Sequence, residues 1–529
     1  MSGRQADLLL TNARVLTCDP ARSAASAVAL AGDRIVWVGE SDDAESFRSA
    51  ATRVVDCQGK TLLPGLIDAH MHLFAYGANL LAVDCSPRAV RSVSEIQAAL
   101  ARRAAEQAPG QWVRGWGYDE FSLAEGRHPH RSDLDAAVPH HPVRLIHRSG
   151  HASVLNGAAM DRLGIGSETP EPPGGMIDRD AATGELTGYF LEMEDRLASM
   201  GAPTLTDEEM ERGLEMACRR LLGLGVTSIH EATPSNALAQ WDRMHSMKRR
   251  GRLPVRVHKM FGPDDLKELE ARELFFGAGE PGLNVGAVKI MLNETGETVL
   301  PEQDVLNDRV YAAHQAGYQI AFHAVEEPGI EAALGAVEAA LHRSAAEASS
   351  IAALGIRLQD HRHRIEHCGV CPPELARRIR ALGMVVVTQP GFIAEHGQRY
   401  LAQVPEAKQR WLYPVGTLMK AGVRVAFGSD CPVAPPGPLA AIGAAMTRRA
   451  GDGRLVGPDE SISLLDAVAM HTAAGAYAAS DEHDRGTIAP GRLADLVLLE
   501  SDVSTESPEA VHDVGVEWTM IGGAIAWER

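Results

Sequence analysis

Short apolar runs broken by turns open the chain: "DLLLTNARVLTCD", "AVALAGDRIVWVG" and "TRVVDCQGKTLLPG". Their spacing predicts the strands of a small sheet. The last 45 residues resume that style with "GTIAPGRLADLVLLESD" and "EWTMIGGAIAWE", where the Gly-Gly pair predicts a hairpin turn. Two β-rich ends around a different middle predict one small β-sandwich domain built from both termini, residues 1–62 plus 484–529.

The middle alternates helical and strand-like periods. In "TLTDEEMERGLEMACRRLLGLG", Met210, Leu214, Ala217, Leu221 and Leu224 recur at three and four, and Thr206 and Glu209 have capping-box spacing. This helix leads into "GVTSIHEA". Further strands are read at "LPVRVHKMFG", "VGAVKIMLN", "GYQIAFHAVE", "HRIEHCGV", "GMVVVTQPG" and "GVRVAFGSDCPV". With "TLLPGLIDAHMH" as the first they number eight, which predicts an α/β fold, a (β/α)8 barrel over residues 63–483.

One connection is too long for a βα unit. About 150 residues separate the first two barrel strands. Residues 80–205 read as an insertion with its own β-like pieces, "GQWVRGWGYDE" and "HPVRLIHRSGHASVLNG", and a Gly/Pro-rich loop, "TPEPPGGMIDRDAATGELTG". An insertion after the C-terminal end of a barrel strand is expected to stand over the catalytic face. The alanine-rich "AALGAVEAALHRSAAEASSIAALG" reads as helix without chemistry of its own.

Composition narrows the partners. A chain of 529 residues that is 45% apolar and 23% charged is an ordinary globular protein. Its net charge of −19, with dispersed acids and no polybasic patch, argues against nucleic acid or an anionic membrane as partner. The N-terminal apolar run of three residues is too short for a signal peptide or a span, so a cytoplasmic location is expected; the partner expected in place of nucleic acid or membrane is a small-molecule substrate. Seven cysteines without paired spacing suit reduced thiols there; Cys368 and Cys371 form a lone C-x-x-C, open to a redox or a zinc reading.

Candidate chemistry then falls on the strand ends. In "PGLIDAHMHL", His70 and His72 are two apart, so in a strand both side chains leave one face and converge on a spot that suits a divalent metal; a polar strand end is the alternative. Lys289 lies on strand four, His323 ends strand five, His367 ends strand six and Asp430 leaves strand eight, all at the rim where barrel enzymes keep their chemistry. Taken singly, Lys289 reads equally as an ion-paired lysine and Asp430 as a turn residue. His230 reads as core or as a residue behind the ligands, with contact to metal or substrate as the alternative, and His258 as structural. Trp116, Tyr118 and His151 in the insertion are candidates for substrate binding, with packing as the alternative.

The pattern of H-x-H, Lys, His, His and Asp on successive strands resembles the amidohydrolase superfamily. "PGLIDAHMHL", "VKIML", "RIEHC", "GSDCPVAPPGPLAAI" and "GTIAPGRLADLVLL", with "GWGYDE" and "GHASVLNGAAMDRLGI" in the insertion, resemble its YtcJ-like branch along nearly the whole chain. After the lysine, where many members continue with an acidic-glycine segment, this chain reads "NETGETVLP", a difference that bears on the substrate.

The resemblance implies one or two divalent ions, with zinc favoured and manganese, iron or cobalt also admitted by the ligand types. It implies His70, His72, Lys289, His323, His367 and Asp430 as metal ligands, Lys289 carboxylated so that it bridges, and Asp430 as the catalytic acid–base group beside a metal-bound hydroxide. The implied reaction is hydrolysis of a non-peptide C–N bond in an amide, formamide or carbamate-like substrate. An ester, lactone or phosphoester hydrolase on the same centre, or a non-catalytic scaffold, are the alternatives. A homodimer is also an expectation from the resemblance.

Overall fold

The computed structural model describes residues 5–172, 175–203, 205–295, 298–346 and 360–529. Parts of four stretches quoted above therefore lie outside the described residues: 173–174 of the Gly/Pro-rich loop, 204 at the start of "TLTDEEMERGLEMACRRLLGLG", 296–297 of "NETGETVLP" and 347–355 of the alanine-rich stretch. The chain divides into two compact units, residues 73–217 and the remainder.

The larger unit is built on eight strands: β1 (Leu66–Met71), β2 (Val226–Glu231), β3 (Arg256–Phe261), β4 (Leu283–Met291), β5 (Ile320–Ala324), β6 (Arg364–His367), β7 (Val385–Thr388) and β8 (Arg424–Phe427). They pair in parallel, in chain order from β1 to β8, as βα connections require. Their residues are almost all buried, as befits parallel strands covered on both faces, and on β1, β2, β3 and β6 this includes charged and polar ones. Among the described residues no ladder joins β8 to β1. The sheet instead nears closure at the strand ends, where the Asp430 amide donates to the His70 carbonyl and the His72 amide to the Cys431 carbonyl, each at 2.7 Å. Gly428 permits that approach: a Cβ there would lie 2.6 Å from the His70 nitrogen.

Strands from both termini form two further sheets in this unit. Leu62–Pro64 of the segment Thr61–Pro64 pair with Leu496–Leu498, so the chain's two ends share one sheet. Both sheets contribute to one apolar core, with Leu10, Val28 and Ile35 from one and Val15, Leu496 and Trp518 from the other. The predicted hairpin forms between Val516–Ile521 and Ala524–Glu528, and Gly522 and Gly523 take φ of 57° and 78°, the left-handed pair that a tight turn of this hand needs.

The smaller unit carries a six-stranded sheet that includes Val113–Tyr118, Val143–His147, Ala152–Leu155 and Leu186–Leu191. The helix Val93–Ala105 packs on it through Leu100, which a Cβ on Gly115 would meet at 3.0 Å. The helix Asp207–Gly223 starts with the predicted capping box: the Thr206 amide donates to Glu209 at 2.9 Å and the Glu209 amide to the Thr206 hydroxyl at 3.1 Å. Among the described residues no helix is long and apolar enough to cross a membrane.

Candidate metal centre

Asp68, His70 and His72 alternate along β1 and its exit, so all three leave one side of the strand. Asp68 accepts from the Ser429 amide at 2.9 Å and the Ser429 hydroxyl at 2.5 Å, which ties this end of β1 to the segment after β8. Asp430 follows with φ of 57°, a left-handed conformation that re-aims its side chain. Its Oδ1 lies 3.0 Å from His72 Nε2 and 3.4 Å from His70 Nε2. Two imidazole nitrogens and a carboxylate oxygen thus converge as a candidate ligand set.

Each imidazole is oriented from behind. His70 Nδ1 meets the buried Glu366 carboxylate, and His72 Nδ1 meets the Thr233 hydroxyl at 2.7 Å. Thr233 in turn donates to Glu231 at 2.6 Å. Arg364 donates to both oxygens of Glu366, at 2.5 and 3.0 Å, to the Ala69 carbonyl at 2.6 Å and to His230 Nδ1 at 2.9 Å. Burial alone would push the Glu366 carboxyl up, but Arg364 and His70 hold it well below the usual range, so it stands as an anion.

The other three residues lie beside this set. His367 has φ of 72°, its Nδ1 is 4.0 Å from Asp430 Oδ2 and 3.0 Å from Gln389 Oε1, and its Nε2 is 2.9 Å from His323 Nδ1. Burial pushes the His367 imidazole down to about 3 and lowers His323 further, so both rings are neutral, the form that ligates. Lys289 is buried; desolvation lowers its amine to about 8 against the pull of Glu366 and Asp430. The small Ala287 and Ala321, two residues before Lys289 and His323 on their strands, pack together below them.

These residues fit a metal on their own evidence. His70 Nε2 and Lys289 Nζ are both buried without a hydrogen-bond partner among the described residues. Each such atom costs about 1–3 kcal/mol when left unsatisfied, and both belong to the same cluster.

Arg364, Glu366, Thr233 and Gln389 were not among the residues singled out from sequence. A signal existed for two of them, since Arg364 and Glu366 place opposite charges on one face of a short, buried parallel strand. His230 is buried behind the ligands as the partner of Arg364, and His258 pairs with Asp481 at 2.8 Å. Cys368 and Cys371 are free, buried thiols, and the Cys368 thiol is raised well above its usual value by its hydrogen bond with Cys371 and by burial.

In the smaller unit Tyr118 is fully buried with its hydroxyl 3.1 Å from His128 Nδ1, Trp116 is partly exposed, and His151 is exposed beside Glu192 at 3.1 Å.

Known proteins share this architecture and sequence. A metal-dependent hydrolase of uncharacterized function from Pyrococcus horikoshii OT3 superimposes with a TM-score of 0.74, at 23% identity, over 96% of this chain and 99% of that one, a likeness of fold. N-substituted formamide deformylase of Arthrobacter pascens is 28% identical over 99% of this chain and 98% of its own length. Putative amidohydrolase YtcJ of Bacillus subtilis is 26% identical over 92% of each. The sequence description of the amidohydrolase family matches residues 53–526, from the terminal sheets through every barrel strand, and the chain belongs to that family.

Proposed function

We propose that this protein is a metal-dependent hydrolase of a carbon–nitrogen bond other than a peptide bond, acting on an amide, formamide or carbamate-like small molecule. The observation that carries the reading is the convergence of His70, His72 and Asp430 beside a buried lysine without a hydrogen-bond partner among the described residues. Whole-length similarity to N-substituted formamide deformylase supports the C–N bond as the target.

Held by His70, His72 and Asp430 together with His323, His367 and Lys289, one or two divalent ions, zinc by our reading, would supply an acidified water and a Lewis acid for the scissile carbonyl. The chain's own groups do the rest. Asp430 starts as a carboxylate, because His70 and His72 beside it outweigh the effect of burial and hold it well below its usual value. Its Oδ atoms take the proton of the attacking water and return it to the departing nitrogen. Glu366 and Thr233 keep the imidazoles aimed while this happens.

Lys289 completes the ligand set by carboxylation. Its unprotonated amine adds to carbon dioxide, forming an N–C bond, opening one C=O bond to a carboxylate and releasing a proton to solvent. A cation next to two ligand clusters thereby becomes an anion with two oxygen donors.

The test is metal analysis of protein purified without added metal, with turnover assays on N-formyl, N-acyl, carbamate, ester, lactone and phosphoester compounds. Amide or formamide turnover that a chelator abolishes and zinc restores is the expected result. Turnover of esters, lactones or phosphoesters alone would move the reaction to those bonds, and absence of both metal and turnover would leave a scaffold.

A further inference from the structure

A cavity of the smaller unit takes no part in the proposed reaction. It has a volume of about 230 Å³ and is lined by Arg103, Gln107, Trp112, Arg114 and Glu209 among others. Arg103 sits in the last turn of the helix Val93–Ala105, and Arg114 in the strand Val113–Tyr118.

The charges around the cavity are not balanced. Arg114 Nη2 is 3.9 Å from Glu209 Oε1, too far for a hydrogen bond, and the other Glu209 oxygen is taken by the Thr206 amide of the capping box. Arg103 has no ion-pair partner among the described residues, and its charge repels that of Arg114. A third cation, Arg162, lies with its guanidinium 5.9 Å over the Trp112 ring and donates to the Gly110 carbonyl at 2.7 Å. In a chain of net charge −19, Arg103 and Arg114 in one lining, with Glu209 as its single carboxylate among the described residues, call for an anion.

Two further features describe the rest of the ligand. Gln107 Oε1 is buried without a hydrogen-bond partner among the described residues, an acceptor in want of an N–H or O–H donor. Trp112 is partly buried and lines the same space with an aromatic side chain.

We propose that this cavity binds a small organic carboxylate carrying a flat apolar body and a hydroxyl or N–H donor, with Arg103 and Arg114 on the carboxylate, Gln107 on the donor and Trp112 on the body. The volume suits a ligand on the order of ten non-hydrogen atoms, below drug size. Planar guanidinium groups match a carboxylate in pairs of parallel hydrogen bonds, which a lysine would not provide. The lining residues belong to the smaller unit and the candidate metal ligands to the larger.

The experiment is isothermal titration calorimetry of the full chain, after metal removal by chelator, with 4-hydroxyphenylacetate, phenylacetate, 4-methylphenol and inorganic phosphate. 4-Hydroxyphenylacetate should bind most tightly, and the uncharged 4-methylphenol at least about tenfold more weakly. Arg103→Gln and Arg114→Gln should each weaken 4-hydroxyphenylacetate about tenfold or more. Gln107→Met should weaken 4-hydroxyphenylacetate but leave phenylacetate unchanged, which tests the site even where an arginine variant fails to fold. Equal binding of 4-methylphenol, binding of phosphate in place of the organic acid, or affinity indifferent to Gln107 and both arginines would each overturn the proposal.

Discussion

Glu366 engages Nδ1 of His70 and leaves Nε2 of the same ring facing Asp430 at 3.4 Å. One buried carboxylate, 296 residues away in sequence, thus selects which imidazole nitrogen faces the candidate metal. Arg364 holds that carboxylate ionised, so the two residues that carry the orientation are coupled through a third.

Glu366→Gln keeps the shape of the side chain but removes its charge. Metal affinity is expected to fall about 10- to 100-fold, with activity following it. Arg364 would lose a buried partner at a cost of about 3–5 kcal/mol, so the thermal midpoint should fall as well. Chelator titration and melting of the same preparation read both; a variant with unchanged metal affinity would remove Glu366 from the centre.

His70→Ala and His72→Ala are each expected to lose metal and activity together. Elemental analysis after dialysis decides this, and full occupancy in both single variants would refute shared ligation.

Asp430→Asn retains the outline and one oxygen donor but cannot take up a proton. We expect partial metal retention with turnover lower by about 10² or more. Turnover at the unmodified level would show that another group moves the proton.

Lys289→Ala should lose metal and most activity, whereas Lys289→Glu, shorter but anionic, should keep part of both. Intact-mass measurement at raised bicarbonate should show a carboxyl adduct on the parent protein that is absent from both variants. If the adduct is missing while metal occupancy is complete, Lys289 is not a carbamate.

Acid should destabilise the fold through a histidine cluster remote from the ligands. His314 Nδ1 is 3.0 Å from His363 Nε2, and His361 stacks on His363 with ring centroids 4.2 Å apart. The Ile320 amide donates to His363 Nδ1, and the His363 amide to His361 Nδ1. Burial lowers His361 to about 4 and also depresses His363 and His314. The folded state therefore binds fewer protons than the unfolded chain below about pH 6.5. Stability should be level above that pH and fall as pH drops from about 6.5 toward 4, by an amount on the order of 1–3 kcal/mol for His361. His361→Gln should flatten the loss of thermal midpoint between pH 7 and pH 5; an unchanged slope would assign the acid sensitivity elsewhere.

In the smaller unit, Trp116→Ala and His151→Ala are expected to change relative rates among amides while metal content stays intact. Tyr118→Phe loses the bond to His128 and should cost about 1 kcal/mol in stability. Rates that change uniformly across the panel would count Trp116 and His151 as packing.

Local pattern was enough for the elements. Apolar runs between turns predicted all eight barrel strands, the capping box at Thr206 and the Gly522–Gly523 hairpin, because hydrophobic period and turn chemistry act over a few residues. The spacing of two in H-x-H likewise places both imidazoles on one side of a strand wherever that strand lies.

What faces what was decided only by the tertiary structure. His367 follows Glu366 directly, so in a regular strand the two would point to opposite faces; φ of 72° turns His367 toward His323. Asp430 lies three residues beyond the end of β8, and φ of 57° together with the bond from its amide to the His70 carbonyl brings its carboxylate to the imidazoles. Neither angle can be read from the alternation of side chains. The links from His70 to Glu366 and from Asp68 to Ser429 join residues 296 and 361 positions apart and form only in the assembled barrel, whereas His72 reaches Thr233 across the pairing of β1 with β2. Sequence periodicity specifies which face a side chain leaves; the partner across that face is set by barrel closure, where buried polar groups must find one another because no water is there to satisfy them.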